Sequence, residues 1–287
     1  YAVRSQITHH GYDPEEGLIV CRPRPGESTL RTGEIEAMLD RQGEEIALVL
    51  LGGVNYYSGQ LFDMMRITAR ARERGAAVGF DLAHAAGNVP LELHAWEVDF
   101  AVWCTYKYLN AGPGAVAGCF VHERHGGSDG PPRLAGWWGN DPSRRFRMHL
   151  EPEFLPFGGA DGWQLSNPPI LAMAPLRSSL AIFDEAGMPR LRKKSLQMIA
   201  YLRYWIDRVS DPRVTVLTPA DESERGCQTS LHLREKSTDL FRALQDEGIV
   251  GDFREPDVIR IAPVPLYNSF HEVWRFGQAL GHWSRES

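Results

Sequence analysis

Two short stretches carry side chains able to do chemistry together. Ala77-Val78-Gly79-Phe80 has the character of a strand and ends at Asp81, and Phe100-Ala101-Val102-Trp103-Cys104 is a second, ending at Thr105-Tyr106-Lys107. In a parallel α/β sheet, ligands bind beyond the carboxyl ends of the strands, so an acid and an amine on consecutive strands would share one edge. A Schiff-base cofactor needs that pair. The amine attaches the aldehyde, and the carboxylate keeps a pyridine nitrogen protonated so that the ring can withdraw electrons. A solvated lysine and a helix-capping aspartate are the plain alternatives, and the residue types alone leave them open.

The elements that must position these residues alternate along the chain. Ile46–Leu51 is a continuous apolar run closed by Gly52-Gly53, apolar on both sides and suited to burial between two layers. Leu61 to Arg74 follows with apolar residues at Leu61, Met65, Ile67 and Ala71, an amphipathic helix, and Gly75 stands where a helix stops. Ala115–Val121 is a fourth strand. Together these predict an α/β domain with a mostly parallel sheet, and the glycine cluster His125–Pro132 reads as a loop. After the Pro168-Pro169 punctuation the texture changes from about Gly187. A long helix (Pro189–Val209), strands at Val214–Leu217, Ser230–Leu233 and Val258–Ala262, and a helix from an N-cap at Ser237 to Gly248 describe a smaller α+β unit. Its last helix opens with Ser269-Phe270-His271-Glu272, a capping-box pattern. The expected division is 1–186 and 187–287.

Longer motifs carry a resemblance. Asp81-Leu82-Ala83-His84-Ala85-Ala86-Gly87-Asn88, and Trp103-Cys104-Thr105-Tyr106-Lys107-Tyr108-Leu109-Asn110-Ala111-Gly112, are similar to the kynureninase family. So are Gly136-Trp137-Trp138-Gly139, Ser166-Asn167-Pro168-Pro169-Ile170, Arg225-Gly226-Cys227-Gln228 and Ala262-Pro263-Val264-Pro265-Leu266-Tyr267-Asn268, which extends the resemblance along essentially the whole chain. The family is a branch of the aspartate-aminotransferase-like, type I fold of pyridoxal-phosphate enzymes. The resemblance therefore implies pyridoxal 5'-phosphate as cofactor, L-kynurenine or its 3-hydroxy form as substrate, and hydrolysis to L-alanine and an anthranilate. It implies that Lys107 is the Schiff-base lysine and proton shuttle, that Asp81 pairs with the pyridinium, and that His84 lies near the ring's phenolic oxygen and the substrate. Tyr106 resembles the tyrosine that touches the phosphate and assists proton transfer at the β-carbon. Trp137 and Asn167 resemble residues that reach the neighbouring subunit's cofactor and substrate, which implies a homodimer with shared sites. Arg260 resembles the arginine that grips the substrate α-carboxylate, where a planar fork makes two parallel hydrogen bonds that Lys cannot.

Two departures accompany the resemblance. The family's phosphate-binding loop and a cofactor-contacting segment lie upstream of the matching region, so the chain is expected to lack the N-terminal part of the large domain. Gly52 stands where relatives can place a hydroxyl residue near the phosphate. A silent fragment that folds without holding cofactor is the reading these departures motivate. Another type I activity, a cysteine desulfurase, would require Cys227 to be mobile and exposed. Cys227 instead lies against the alternating strand Thr229–Leu233, which favours a buried structural thiol.

Composition narrows the remaining classes. The formal net charge is -6 over 287 residues with no long run of like charge, so a nucleic-acid partner has no electrostatic footprint. No apolar run approaches the ~20 residues of a membrane span. Four scattered cysteines without C-x-x-C spacing suit a reducing cytosol better than a disulfide framework. Gly112-Pro113-Gly114-Ala115-Val116-Ala117-Gly118 precedes a strand, unlike a dinucleotide fingerprint, and His9-His10 lacks companion ligands for a metal.

Overall fold

The computed structural model describes residues 1–127, 130–234 and 238–286. Two helices open the chain, α1 (Ala2–His9) and the single turn α2 (Pro14–Gly17), and neither buries a residue. The helix α3 (Thr32–Gln42) puts Ile35 and Leu39, four apart, into the first core. The strand β1 (Leu48–Gly52) follows, then α4 (Met64–Glu73), β2 (Ala77–Asp81), β3 (Phe100–Trp103) and β4 (Gly118–Val121). The predicted helix at 61–74 starts later than its apolar pattern because the Asp63 carboxylate accepts the Arg66 N–H at 3.1 Å and caps it. Gly75, at φ +80°, ends it in the left-handed region.

The first sheet has the order β1-β2-β3-β4, with three parallel strands and an antiparallel edge. Period-two alternation sends Val78, Phe80 and Ala101 to one face, where they pack with Ile67 and Ala71 of α4. The other face is different. Leu48, Leu50 and Val102 are 46%, 40% and 45% exposed. The run predicted to suit burial on both sides is covered here on one.

Past β4 come the helices α5 (Ile170–Ala186) and α6 (Met188–Val209), separated at Gly187, whose φ of +77° breaks the helical path. A second sheet is antiparallel throughout, in the order β5 (Val214–Val216), β6 (Thr229–Leu233), β8 (Val258–Ile261), β7 (Asp252–Arg254). The helix α7 (Asp239–Asp246) lies between β6 and β7 in the chain, and its predicted cap at Ser237 falls outside the described residues, as does part of the predicted 125–132 loop. The closing helix α8 (Phe270–Glu286) has the reciprocal cap its sequence announces: Ser269 N–H donates to Glu272 Oε2 at 2.7 Å and Glu272 N–H to Ser269 Oγ at 3.3 Å.

Leu231, Leu233, Ile259 and Ile261 face α6 and α8 in a second core with Met198, Leu202, Val273, Phe276 and Leu280. The opposite face of that sheet carries Ser230 and Arg260, and it docks on the loop that follows β1. There the Thr218 hydroxyl donates to Ser58 O at 2.6 Å, and Leu61 N–H donates to Glu224 O at 2.8 Å. No described helix is long and apolar enough to cross a membrane.

Candidate active site

The sheet register aligns Gly52, Asp81 and Val102 at the carboxyl ends of three parallel strands. Asp81 is exposed, and its Oδ1 accepts the Ala83 N–H at 2.9 Å, which turns the chain back over the strand end. Gly52 has room: a Cβ there would meet Val54 O at 3.5 Å, an ordinary contact. Its neighbour Gly53 has none, because a Cβ would lie 2.5 Å from Leu82 Cδ2.

His84 sits in the turn after Asp81. Its ring lies between those of Tyr56 and Tyr108, with centroids at 6.4 and 6.1 Å, and its buried Nδ1 has no hydrogen-bond partner in the described protein. Burial, followed by the positive charges of Lys107 and Arg260, pushes its pKa down to about 4, and Asp81 opposes them. The imidazole is neutral at physiological pH. Those three charges, from β2, the turn after β3, and β8, all act on a single ring.

Lys107 lies four residues past the end of β3. A tight turn presents it: Ala111 N–H donates to Thr105 O at 3.0 Å and Asn110 N–H to Lys107 O at 3.1 Å, with Asn110 at φ +54°. Asn tolerates that conformation better than most residues. Lys107 Nζ is 5.7 Å from the centre of the Tyr106 ring, and among the described residues it forms no ion pair. Tyr106 is 52% exposed, and the neighbouring Cys104 raises its phenol pKa.

Arg260 belongs to an interior strand of the second sheet. Its Nε donates to Asp252 Oδ2 at 2.7 Å and its Nη1 to Tyr56 O at 2.8 Å. The same Tyr56 carbonyl accepts from Gln228 Nε2 at 2.9 Å. Cys227 is wholly buried, and burial pushes its thiol up to about 12 despite a hydrogen bond with Tyr108. A thiol so placed is inaccessible and stays protonated, which does not suit a nucleophile.

Lys107, Asp81, His84 and Arg260 are thus gathered, with Gly52 beside them in the register. Trp137 and Asn167 lie on a separate stretch of turns. The Trp137 ring meets Trp138 and Phe146 at 5.1 and 5.7 Å, and exposed Asn167 accepts from Ser166 Oγ at 3.2 Å. Sequence reasoning gave no role to Tyr56 and Asp252, and quoted Tyr108 only as part of a motif. Tyr56 had one available signal, its place in a loop directly after a strand-closing Gly52-Gly53.

Comparison with known proteins completes the description. Residues 191–280 match the family model described as the kynureninase C-terminal domain. A kynureninase of Myxococcus xanthus is 53% identical over 286 residues, covering 100% of this chain and 67% of the relative. The chain spans about two thirds of the length of the curated relatives it matches. Among solved structures, an apo cysteine desulfurase from Thermococcus onnurineus superposes with a TM-score of 0.79 at 16% identity, over 99% of this chain and 69% of that one. The protein C-DES, with glycine covalently linked to its PLP cofactor, gives 0.69 at 19% identity, over 89% and 64%. At such identities these structures establish the fold alone.

Proposed function

Because the chain belongs to the kynureninase family, we propose that it carries the catalytic strand ends of a pyridoxal-phosphate enzyme. The reaction would be hydrolysis of L-kynurenine, or its 3-hydroxy form, to L-alanine and an anthranilate. The observation that carries the reading is the convergence of Lys107, Asp81 and Arg260 on His84 from both sheets.

The residues present fit that cofactor. An exposed carboxylate at a strand end and an amine without an ion-pair partner among the described residues are open to a ligand, and the buried imidazole Nδ1 of His84 lacks a partner that a ligand could supply. Lys107 would hold the aldehyde carbon, Asp81 the pyridine nitrogen, and Gly52, His84 and Tyr106 the oxygen-bearing edges. When bound, the cofactor supplies an electron sink for charge developing at the substrate's Cα and β-carbon.

The chain's own groups do the rest. Lys107 would remove the Cα proton and later return one. Tyr106 moves a proton at the β-carbon. Neutral His84 can accept or donate a hydrogen bond without adding positive charge to the site. Arg260 orients the substrate through its α-carboxylate. We further propose a division of the chain at 186/187, and a homodimer in which Trp137 and Asn167 serve the partner's site. The exposed apolar residues Phe146, Ile170 and Leu171 near that segment, 75%, 76% and 89% exposed, support such a contact.

The test is spectroscopic. The chain incubated with pyridoxal phosphate should gain a visible absorbance band that Lys107→Ala removes, and should release fluorescent anthranilate from kynurenine. A preparation that stays colourless after incubation overturns the cofactor assignment.

A further inference from the structure

Arg260 is held by an acid directly across the strand pair. Asp252 of β7 is the Cα partner of Arg260 on β8, and Ser230 of β6 is its partner on the other side. Residues directly opposite in antiparallel strands point to the same face. Asp252, Arg260 and Ser230 therefore form one row across the sheet, opposite the face that buries Ile259 and Ile261. That row faces the Tyr56-Tyr57 loop, where Ser230 Oγ donates to Tyr57 O at 2.5 Å.

Two corners of the guanidinium are spoken for, Nε by Asp252 and Nη1 by the Tyr56 carbonyl. Asp252 Oδ2 also accepts Arg254 Nε at 2.8 Å, two residues along β7 and so on the same face. One carboxylate between two guanidinium groups leaves the cluster with a net charge of one positive unit. Its side chain is 43% exposed, whereas that of Arg260 is 12% exposed.

We propose that Asp252 is a positioning residue for the Arg260 guanidinium, and that it dictates how an α-carboxylate approaches. A carboxylate can pair with a guanidinium side-on, through Nε and the nearer Nη, or end-on, through the two terminal nitrogens. Occupation of Nε by Asp252 closes the side-on approach. The ligand carboxylate meets Nη2 and the remaining Nη1 N–H, in a plane set by Asp252 on one corner and Tyr56 on the other. Without Asp252 only the Tyr56 carbonyl holds the guanidinium, which can then pivot about that one bond and present a different edge.

This inference rests on the reading that Arg260 receives the substrate carboxylate, and the experiment separates the two. In a Lys107→Ala background, where turnover is disabled, with pyridoxal phosphate supplied, titration calorimetry measures the binding of kynurenine and of its decarboxylated amine analogue. Asp252→Ala should weaken kynurenine by about tenfold and leave the analogue unchanged. Asp252→Asn retains an oxygen that accepts from Nε and should recover most of that loss. Equal weakening of both ligands by Asp252→Ala would make Asp252 a structural residue and overturn the proposal. Arg260→Lys is the control. If it removes the preference for kynurenine while Asp252→Ala and Asp252→Asn keep it, the positioning role alone fails. If Arg260→Lys weakens both ligands equally, the carboxylate reading fails and the proposal with it.

Discussion

The side-chain carbonyl of Asn88 accepts the backbone N–H of Cys227 at 2.9 Å, across 139 residues of chain. The same amide donates through Nδ2 to the His84 carbonyl at 2.9 Å, and the side chain is 2% exposed. One amide thus ties the turn that bears His84 to the segment leading into β6. Only a group with both a donor and an acceptor can do this. Gly226 follows from it, since any Cβ there would run into the Asn88 amide.

Asn88→Ala should therefore destabilise the fold by about 1–3 kcal/mol, because it leaves the Cys227 N–H buried without a partner. Urea denaturation followed by circular dichroism measures this, and an unchanged midpoint would show that the amide link contributes nothing net.

Lys107→Ala should abolish covalent cofactor while the fold survives, because the residue sits in a turn and fills no core. Borohydride reduction and peptide mapping of the unsubstituted chain should place the pyridoxyl label on Lys107. A label on Lys193, Lys194 or Lys236 would refute the assignment.

His84 should stay neutral far into the acid range. Its folded pKa of about 4 lies below the 6.5 of a free imidazole. As pH falls, the unfolded chain therefore takes up the proton first. The stability that depends on the neutral ring is intact above about pH 6.5 and declines as pH falls toward 4. In the cofactor-free chain, the His84 C2 proton resonance should not titrate between pH 8 and 6, and a midpoint near 6.5 would contradict the burial described here.

Cys227 should resist alkylation. With its thiol raised to about 12 and its side chain fully buried, iodoacetamide at pH 8 should leave it unlabelled until the protein unfolds. Exposed Cys119 supplies the accessible comparison in the same digest. Rapid labelling of Cys227 in the native protein would reopen the cysteine desulfurase reading.

The open face of the first sheet should make the 287-residue chain adhesive. Leu48 and Leu50 of β1 and Val102 of β3 lie exposed on one face of the sheet, an apolar surface open to contact. Strong binding of a hydrophobic dye, and self-association that grows with concentration in size-exclusion chromatography, are the expected outcomes. A monodisperse, dye-silent monomer would contradict them.

Much of this is legible in the amino-acid sequence. Alternation in Val258–Ile261 already sends Ile259 and Ile261 one way and Arg260 the other, because the side-chain period of a strand is two. Asp81 and Lys107 were placed at one sheet edge by the strand runs that precede them, and Ser269 with Glu272 announced its helix start through a local hydrogen-bond pattern. Patterns of this kind act within an element, where covalent spacing sets the geometry. What meets across elements was a different matter. That Asp252 faces Arg260 depends on the pairing of β7 with β8, and β7 is too short for periodicity to reveal it. That Arg260 and Gln228 share the carbonyl of Tyr56, 204 and 172 residues away, depends on how the second sheet docks on the loop after β1. The exposure of one side of β1 was likewise decided by packing: an apolar run states that a strand prefers cover on both faces, whereas only the tertiary arrangement determines which face receives it.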